Sequence, residues 1–348
     1  MLYNFMPAPV NGGFQMEDYW VWCGSVVQGE DGRFHIFASR WPKSLPMHPG
    51  WLVQSEIVRA VADQPEGPFT FQEVVLPARG AEFWDGRSTH NPHIVKHKDK
   101  YLLFYMGSTH PFPDPIAGDG YDLQDPRCIV ARANKRIGLA VANSVNGPWE
   151  RRDVPIVSTR PGKFDSFLTS NPAPCVEEDG SVLLIYKARQ YEGHGHGKMT
   201  FGVARAPHYE GPYLVMSEEP LFPPDVHLED PFIWRTEDGY ELIAKDMDGN
   251  LCGEKYGGVH ASSTDGMNWR IHPSLAYSRN VSWDNGVTRT MGNLERPFLF
   301  FQDGKPTHLF AATSDGTKGF HDASQTWNMV IPITREEYQQ DQHKEVEE

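Results

Sequence analysis

An all-β fold, a five-bladed β-propeller, is what this sequence predicts, and three features predict it. One ordered set of short strands recurs about five times, Asp-Gly pairs punctuate the strands, and Gly-Pro-aromatic turns recur between them. Each unit opens with a polar pair, then Pro, then an apolar run. These openings read His90-Asn91-Pro92-His93-Ile94-Val95, Ser170-Asn171-Pro172-Ala173-Pro174, Glu229-Asp230-Pro231-Phe232-Ile233-Trp234 and Glu295-Arg296-Pro297-Phe298-Leu299-Phe300. A turn follows each one: Lys98-Asp99-Lys100, Asp179-Gly180, Asp238-Gly239 and Asp303-Gly304. Asp-Gly between apolar runs is a strong hairpin signal. The second strands begin at Tyr101, Ser181, Tyr240 and Thr307, in β-branched and aromatic runs too short for helices. A fifth copy at the start lacks the Pro: Cys23-Gly24-Ser25-Val26-Val27, then Asp31-Gly32, then a strand from Arg33.

The second half of each unit repeats as well. Small-residue strands start at Ile57, Ile137, Phe201 and Gly258. The turns Gly67-Pro68-Phe69, Gly147-Pro148-Trp149 and Gly211-Pro212-Tyr213 follow, and Asp265-Gly266-Met267-Asn268-Trp269 takes their place in the fourth copy. Each unit thus offers about four strands with a period of roughly 60 to 80 residues. A sandwich or barrel supplies short strands but not five copies of one ordered set. The last unit is short of outer strands. The segment before Asp18 is expected to complete it and close the ring, removing exposed sheet edges. The expected boundaries are a propeller over residues 1–335 and a charged tail over 336–348. Residues 106–135 form a long insertion in the second unit, of the kind that is functional or mobile.

Composition excludes several classes. The formal net charge of -14 at pH 7 argues against nucleic acid or an anionic membrane as partner, because both need a basic footprint. No apolar run of about 18 residues is present to span a bilayer. The opening residues lack a basic stretch and a long apolar core, so no leader is read and a cytoplasmic location is expected. If a leader has been removed, the periplasm or the exterior is the alternative. Cys23, Cys128, Cys175 and Cys252 show no metal spacing and are read as free or buried thiols. Oligomeric state is not legible.

In a propeller the innermost strands point their ends at the axis, so the residues before each repeated Pro converge. Those pairs are His90/Asn91, Ser170/Asn171, Glu229/Asp230 and Glu295/Arg296; the first unit offers Cys23/Gly24, with Glu17 and Asp18 upstream. Glycoside hydrolysis needs one carboxyl that donates a proton and one that stays ionised. Glu229, Asp230 and Glu295 are the candidates, and Asp18 is a further one. Which of them is acid and which is base does not follow from sequence. His90, Asn91, Asn171, Arg296, His227, Lys187, Arg189 and Trp22 are candidate substrate contacts. Lys187, Arg189, Lys245 and Asp246 end second strands, where solvated surface charge is the plainer reading. Trp20, Trp22, Trp41 and Trp84 lie near loops, as core or as stacking platforms for sugar. Asp85 and Asp165 read as loop-bonding residues. The tract Tyr191-Glu192-Gly193-His194-Gly195-His196-Gly197 suggests metal binding by composition only. No cofactor is required, although the axis has room for a cation, calcium or sodium.

These units resemble the five-bladed propeller glycosidases of families 43 and 117 and the related family 32. The resemblance covers about residues 18 to 330. Glu229-Asp230-Pro231 resembles both the Asp-Pro motif of the family 43 base and the Glu-x-Pro type of its acid. Glu295-Arg296-Pro297 resembles the latter. Family 117 uses a His as acid, which the resemblance transfers to His90 or His227. The first unit departs from the pattern, with Cys23-Gly24-Ser25 where an Asp-Pro is expected, and Asn91 and Asn171 occupy the second and third. The implied activity is exo-acting hydrolysis of plant or algal oligosaccharide. A glycoside phosphorylase and a non-catalytic carbohydrate-binding propeller are the alternatives.

Overall fold

The computed structural model describes residues 2–116, 118, 121–193 and 195–334. The expected tail over 336–348 lies outside the described residues. Five four-stranded antiparallel sheets account for the repeats. Their innermost strands are Tyr19–Gln28, Ser88–His97, Leu168–Val176, Leu228–Thr236 and Glu295–Gln302. In the first four blades the strands follow chain order from the axis outward. The fifth is closed from the other end of the chain: Phe14–Gln15 pairs with Thr326–Pro332, its third strand. Further bonds fasten the N-terminal segment: Leu2 N–H donates to Leu275 (2.9 Å), Met6 N–H to Pro332 (2.8 Å) and Ala8 N–H to Ser282 (2.8 Å). The expected ring closure is thus present.

The Gly-Pro-aromatic turns require glycine. Gly67, Gly147 and Gly211 hold φ of 84°, 82° and 95°, a region in which a Cβ is strained. Between blades, aliphatic and aromatic side chains of adjacent sheets interlock, as where Phe104 and Leu102 of the second blade join Leu184 and Tyr186 of the third in one cluster. Asp85 and Asp165 serve their loops as expected. Fully buried Asp85 accepts from Arg79 Nε and Tyr105 Oη (both 2.7 Å), and Asp165 accepts from Arg160 Nε (2.9 Å) and Tyr186 Oη (3.0 Å).

Two helices lie beside the ring, Met47–Gln54 and Pro126–Ala133. The second belongs to the 106–135 insertion and begins at Asp125, whose carboxylate accepts from Arg127 N–H (2.8 Å). Leu52, Val53, Tyr121, Cys128 and Ala131 bury a shared apolar cluster with Trp51 packed against it. No described helix is long and apolar enough to cross a membrane. The four cysteines are free thiols.

Candidate active site

The five openings share one backbone device. In each innermost strand the ladder register shifts across two residues: between Trp22 and Ser25, His90 and His93, Ser170 and Ala173, Glu229 and Phe232, and Glu295 and Phe298. The first bulged residue is left-handed every time: Cys23 (φ 58°), Asn91 (53°), Asn171 (48°), Asp230 (59°) and Arg296 (53°). Asn and Asp tolerate this region, whereas Cys and Arg bear a cost of about 1–2 kcal/mol each. The second bulged residue is Pro in four blades. Its missing N–H leaves no orphan donor where the ladder is broken. The exception is Gly24, whose N–H donates to Asn328 Oδ1 (2.8 Å).

The bulge turns the five left-handed side chains toward one another. Cys23 Sγ donates to Asn91 Oδ1 (2.8 Å), Asn91 Nδ2 to Asn171 Oδ1 (2.7 Å), and Asn171 Nδ2 to Asp230 Oδ1 (2.6 Å). Arg296 N–H completes the chain by donating to Asp230 Oδ2 (3.1 Å). Burial holds the Cys23 thiol protonated, consistent with its donor role. This chain of side chains floors a cavity of ≈ 470 Å³. Asp230 is thus engaged by Asn171, by Arg296 N–H and by a guanidinium 3.9 Å away.

Above the floor stand the residues one position earlier. Glu229 receives Lys187 Nζ (2.5 Å) and Lys245 Nζ (2.8 Å). Lys245, 2% exposed, also meets Glu295 (3.1 Å) and Asp230 (3.6 Å). Asn293 Nδ2 donates to Glu295 Oε1 (3.1 Å). The two glutamates are driven apart electrostatically. Burial opposes ionisation of Glu229, but the ammoniums of Lys187 and Lys245 override it and hold the pKa well below the ordinary range. Burial raises the pKa of Glu295; Lys245 pulls the other way, and repulsion from Asp230 and Glu229 adds to the rise. Lys245 stays charged despite burial because Glu229, Glu295 and Asp230 surround it.

Among the sequence-derived candidates, Glu229, Asp230, Glu295, His90, Asn91, Asn171, Lys187, Arg296 and Trp22 line the one cavity. Asp18 does not: it is exposed, in a separate depression with Phe14 and Phe71. His227 is turned to Asp248 (Nδ1 to Oδ2, 3.2 Å), and Arg189 is held by His196 (2.7 Å), both off the cavity lining. His90 is unsuited to donate a proton. Burial and the nearby Lys135, Arg296 and Lys187 keep its pKa well below normal, and Nδ1 is bonded to Ser55 Oγ (2.8 Å). Lys187 and Lys245 are not solvated surface charges. Register sets them opposite Ser170 and Glu229, across the strand pair at the pocket wall. Asp246 instead ties its own loop, accepting from the N–H groups of Asp248, Gly249, Leu251 and Cys252.

Trp22 and Trp41 line the cavity, whereas Trp20 (Nε1 to Leu45 O, 2.9 Å) and Trp84 (stacked on Tyr105 at 5.7 Å) are packing residues. Sequence reasoning missed Trp51, on the helix Met47–Gln54, and Tyr256, Arg279 and Asn293, which reach the cavity from non-repeating loops. Among the described residues no cluster of metal-ligating side chains is present. His194 of the glycine-histidine tract lies outside the described residues, and its flanks, Tyr191–Glu192 and Gly195–His196, pair as a small hairpin.

No protein-family model matches the sequence, and no curated protein matches it. Solved structures do match in fold. A family 117 glycoside hydrolase of the marine bacterium Zobellia galactanivorans superposes with a TM-score of 0.64 at 17% identity, over 95% of this chain and 90% of that one. A family 43 β-xylosidase/α-arabinofuranosidase from a compost microbial metagenome, solved with xylotriose, gives 0.59 at 15% identity, over 94% and 96%. A protein of unknown function from Dyadobacter fermentans gives 0.61 at 14%, over 96% and 100%. The chain thus has the five-bladed propeller fold found in glycoside hydrolases.

Proposed function

We propose that the protein is a glycoside hydrolase that cleaves sugar from the ends of plant or algal oligosaccharides, with Glu295 as proton donor and Glu229 as the carboxylate that stays ionised. One observation carries this reading: two partly buried glutamates share one cavity and one ammonium, yet their surroundings push their pKa values in opposite directions. That split is what glycosidic cleavage asks of a carboxyl pair. The closed floor supports chain-end attack, because a polymer cannot thread past it. Trp22 and Trp51 give the cavity an apolar wall for a sugar ring, and Asn91, Asn171, Lys187 and Arg296 offer polar groups to its hydroxyls. The fold shared with a xylotriose-bound enzyme supports an oligosaccharide ligand.

The test is a screen of chromogenic glycosides and oligosaccharides, wild type beside Glu295→Gln. Turnover in the wild type and a loss of at least about a hundredfold in the variant is expected. Binding without turnover, unaffected by the substitution, would instead identify a non-catalytic sugar-binding propeller.

A further inference from the structure

Although the chain is acidic overall, with a formal charge of -14, three cations stand behind the pocket wall at Trp51 without an ion-pairing carboxylate among the described residues. Lys135 leads into the third strand of the second blade and is 3% exposed. Its ammonium lies 4.0 Å from the centroid of Trp51, which itself stacks on His90 at 4.8 Å; Trp51 and His90 are both cavity wall. Among the described residues Lys135 has no hydrogen-bonding or ion-pairing partner for its ammonium. Beside it stand Arg132 and Arg189, which also make no ion pair. Both guanidiniums contact the same imidazole, His196 (3.4 Å to Nε2 and 2.7 Å to Nδ1), and Arg189 Nε is buried without a partner. Burial and the repulsion of Lys187, Arg132 and Arg189 depress the Lys135 pKa well below that of a free lysine. The charge of Glu229 reaches Lys135 and Arg189, but its oxygens are already held by Lys187 and Lys245.

A buried ammonium crowded by like charges is costly unless an anion arrives to neutralise it. We propose that Lys135, Arg132 and Arg189 form an oxyanion subsite at the edge of the pocket, beside Trp51 and Lys187. Its ligand is a carboxylate, sulfate or phosphate group, brought in as a substituent of the sugar or as free phosphate. The subsite deepens the hydrolase reading by assigning an acidic substrate, and it rests on that reading for the location of the sugar. Planar guanidinium forks and an ammonium are the donors that oxyanions select. A neutral sugar leaves all three without a counter-charge.

The test is calorimetric titration of the full chain with glucuronate, sulfate and inorganic phosphate, with glucose as neutral control, on wild type and on Lys135→Met. Saturable binding of at least one anion, weakened about tenfold or more by the substitution, is expected. Arg189→Met makes the same comparison if Lys135→Met fails to fold. Binding of phosphate alone identifies the free anion as the source, and binding of glucuronate identifies a substituent of the sugar; either supports the subsite. Absence of saturable binding by all three anions overturns it, as does equal affinity in wild type and a folded variant. Hydrolysis of neutral glycosides by a protein that binds no anion removes the subsite and leaves the hydrolase. Anion binding without any turnover does the reverse.

Discussion

At the residue scale the pocket is governed by where each carboxyl oxygen is spent. Burial and two neighbouring carboxylates outweigh one ammonium and raise the pKa of Glu295, whereas two ammoniums stabilise the ionised form of Glu229 and lower its pKa. The pH–rate profile follows from these signs. With Glu295 as the proposed proton donor, activity should fall as pH rises through its elevated pKa. It should fall in acid only below the depressed pKa of Glu229. Glu295→Gln should flatten the alkaline limb along with the rate, and an unchanged limb would assign the proton donor elsewhere. Asp230 has a different part, because both its oxygens are bound in the floor. Asp230→Asn turns an acceptor into a donor facing Asn171 or Arg296. It should lower stability by about 1–3 kcal/mol, read as a drop in the urea midpoint. These pairings were partly legible: Glu229, Asp230 and Glu295 were readable because each stands in a repeated position. Asp18 was misread because it stands only a few residues before Trp22. A strand extends about 3.3 Å per residue, so four residues carry Asp18 about 13 Å along the chain from Trp22.

At the element scale the repeated Pro and the residue before it are one bulge, and this explains why the sequence spelled it out. Only Asn and Asp among these residues tolerate the left-handed turn easily, and only Pro or a capped Gly fills the next place without an orphan N–H. Local chemistry of that kind survives in a single sequence. The helix that delivers Trp51 and the loops that deliver Arg279 and Asn293 carry no repeat, and the partners of Lys245 depend on register between strands, so neither was readable in advance. Gly24 tests the bulge directly. An added Cβ would meet Ile36 Cδ1 at 2.7 Å and Asn328 Cγ at 2.8 Å, and Pro would also delete the bond to Asn328. Gly24→Pro is expected to cost about 1–3 kcal/mol, measured by chemical unfolding. A variant as stable as the wild type would show that the bulge tolerates Pro in every blade.

At the scale of the whole molecule, stability comes from closing the ring. Its last sheet borrows an outer strand from the N-terminal segment, so deleting residues 2–15 uncovers the edge of Thr326–Pro332. A lower melting temperature and self-association in light scattering are expected for that truncation. Blades are also clasped at their rims. Glu30 accepts from Tyr101 Oη (2.7 Å) and Ser144 Oγ across the first and second blades. Those bonds outweigh burial and lower its pKa from 4.5 to about 2. Its stabilising contribution is therefore complete above pH 4.5 and disappears as pH falls toward 2. Being exposed, it contributes less than about 1 kcal/mol, so Glu30→Gln should shift the melting temperature slightly at pH 7 and not at all near pH 2. The placement of substrate on the axis is tested most directly by a crystal structure of Glu295→Gln with an oligosaccharide that the wild type cleaves. The terminal sugar should fill the cavity above Asn91 and Asn171, with its glycosidic oxygen within hydrogen-bond reach of the side chain at 295. A saccharide seated on the outer face of the blades, with the cavity unfilled, would contradict the assignment.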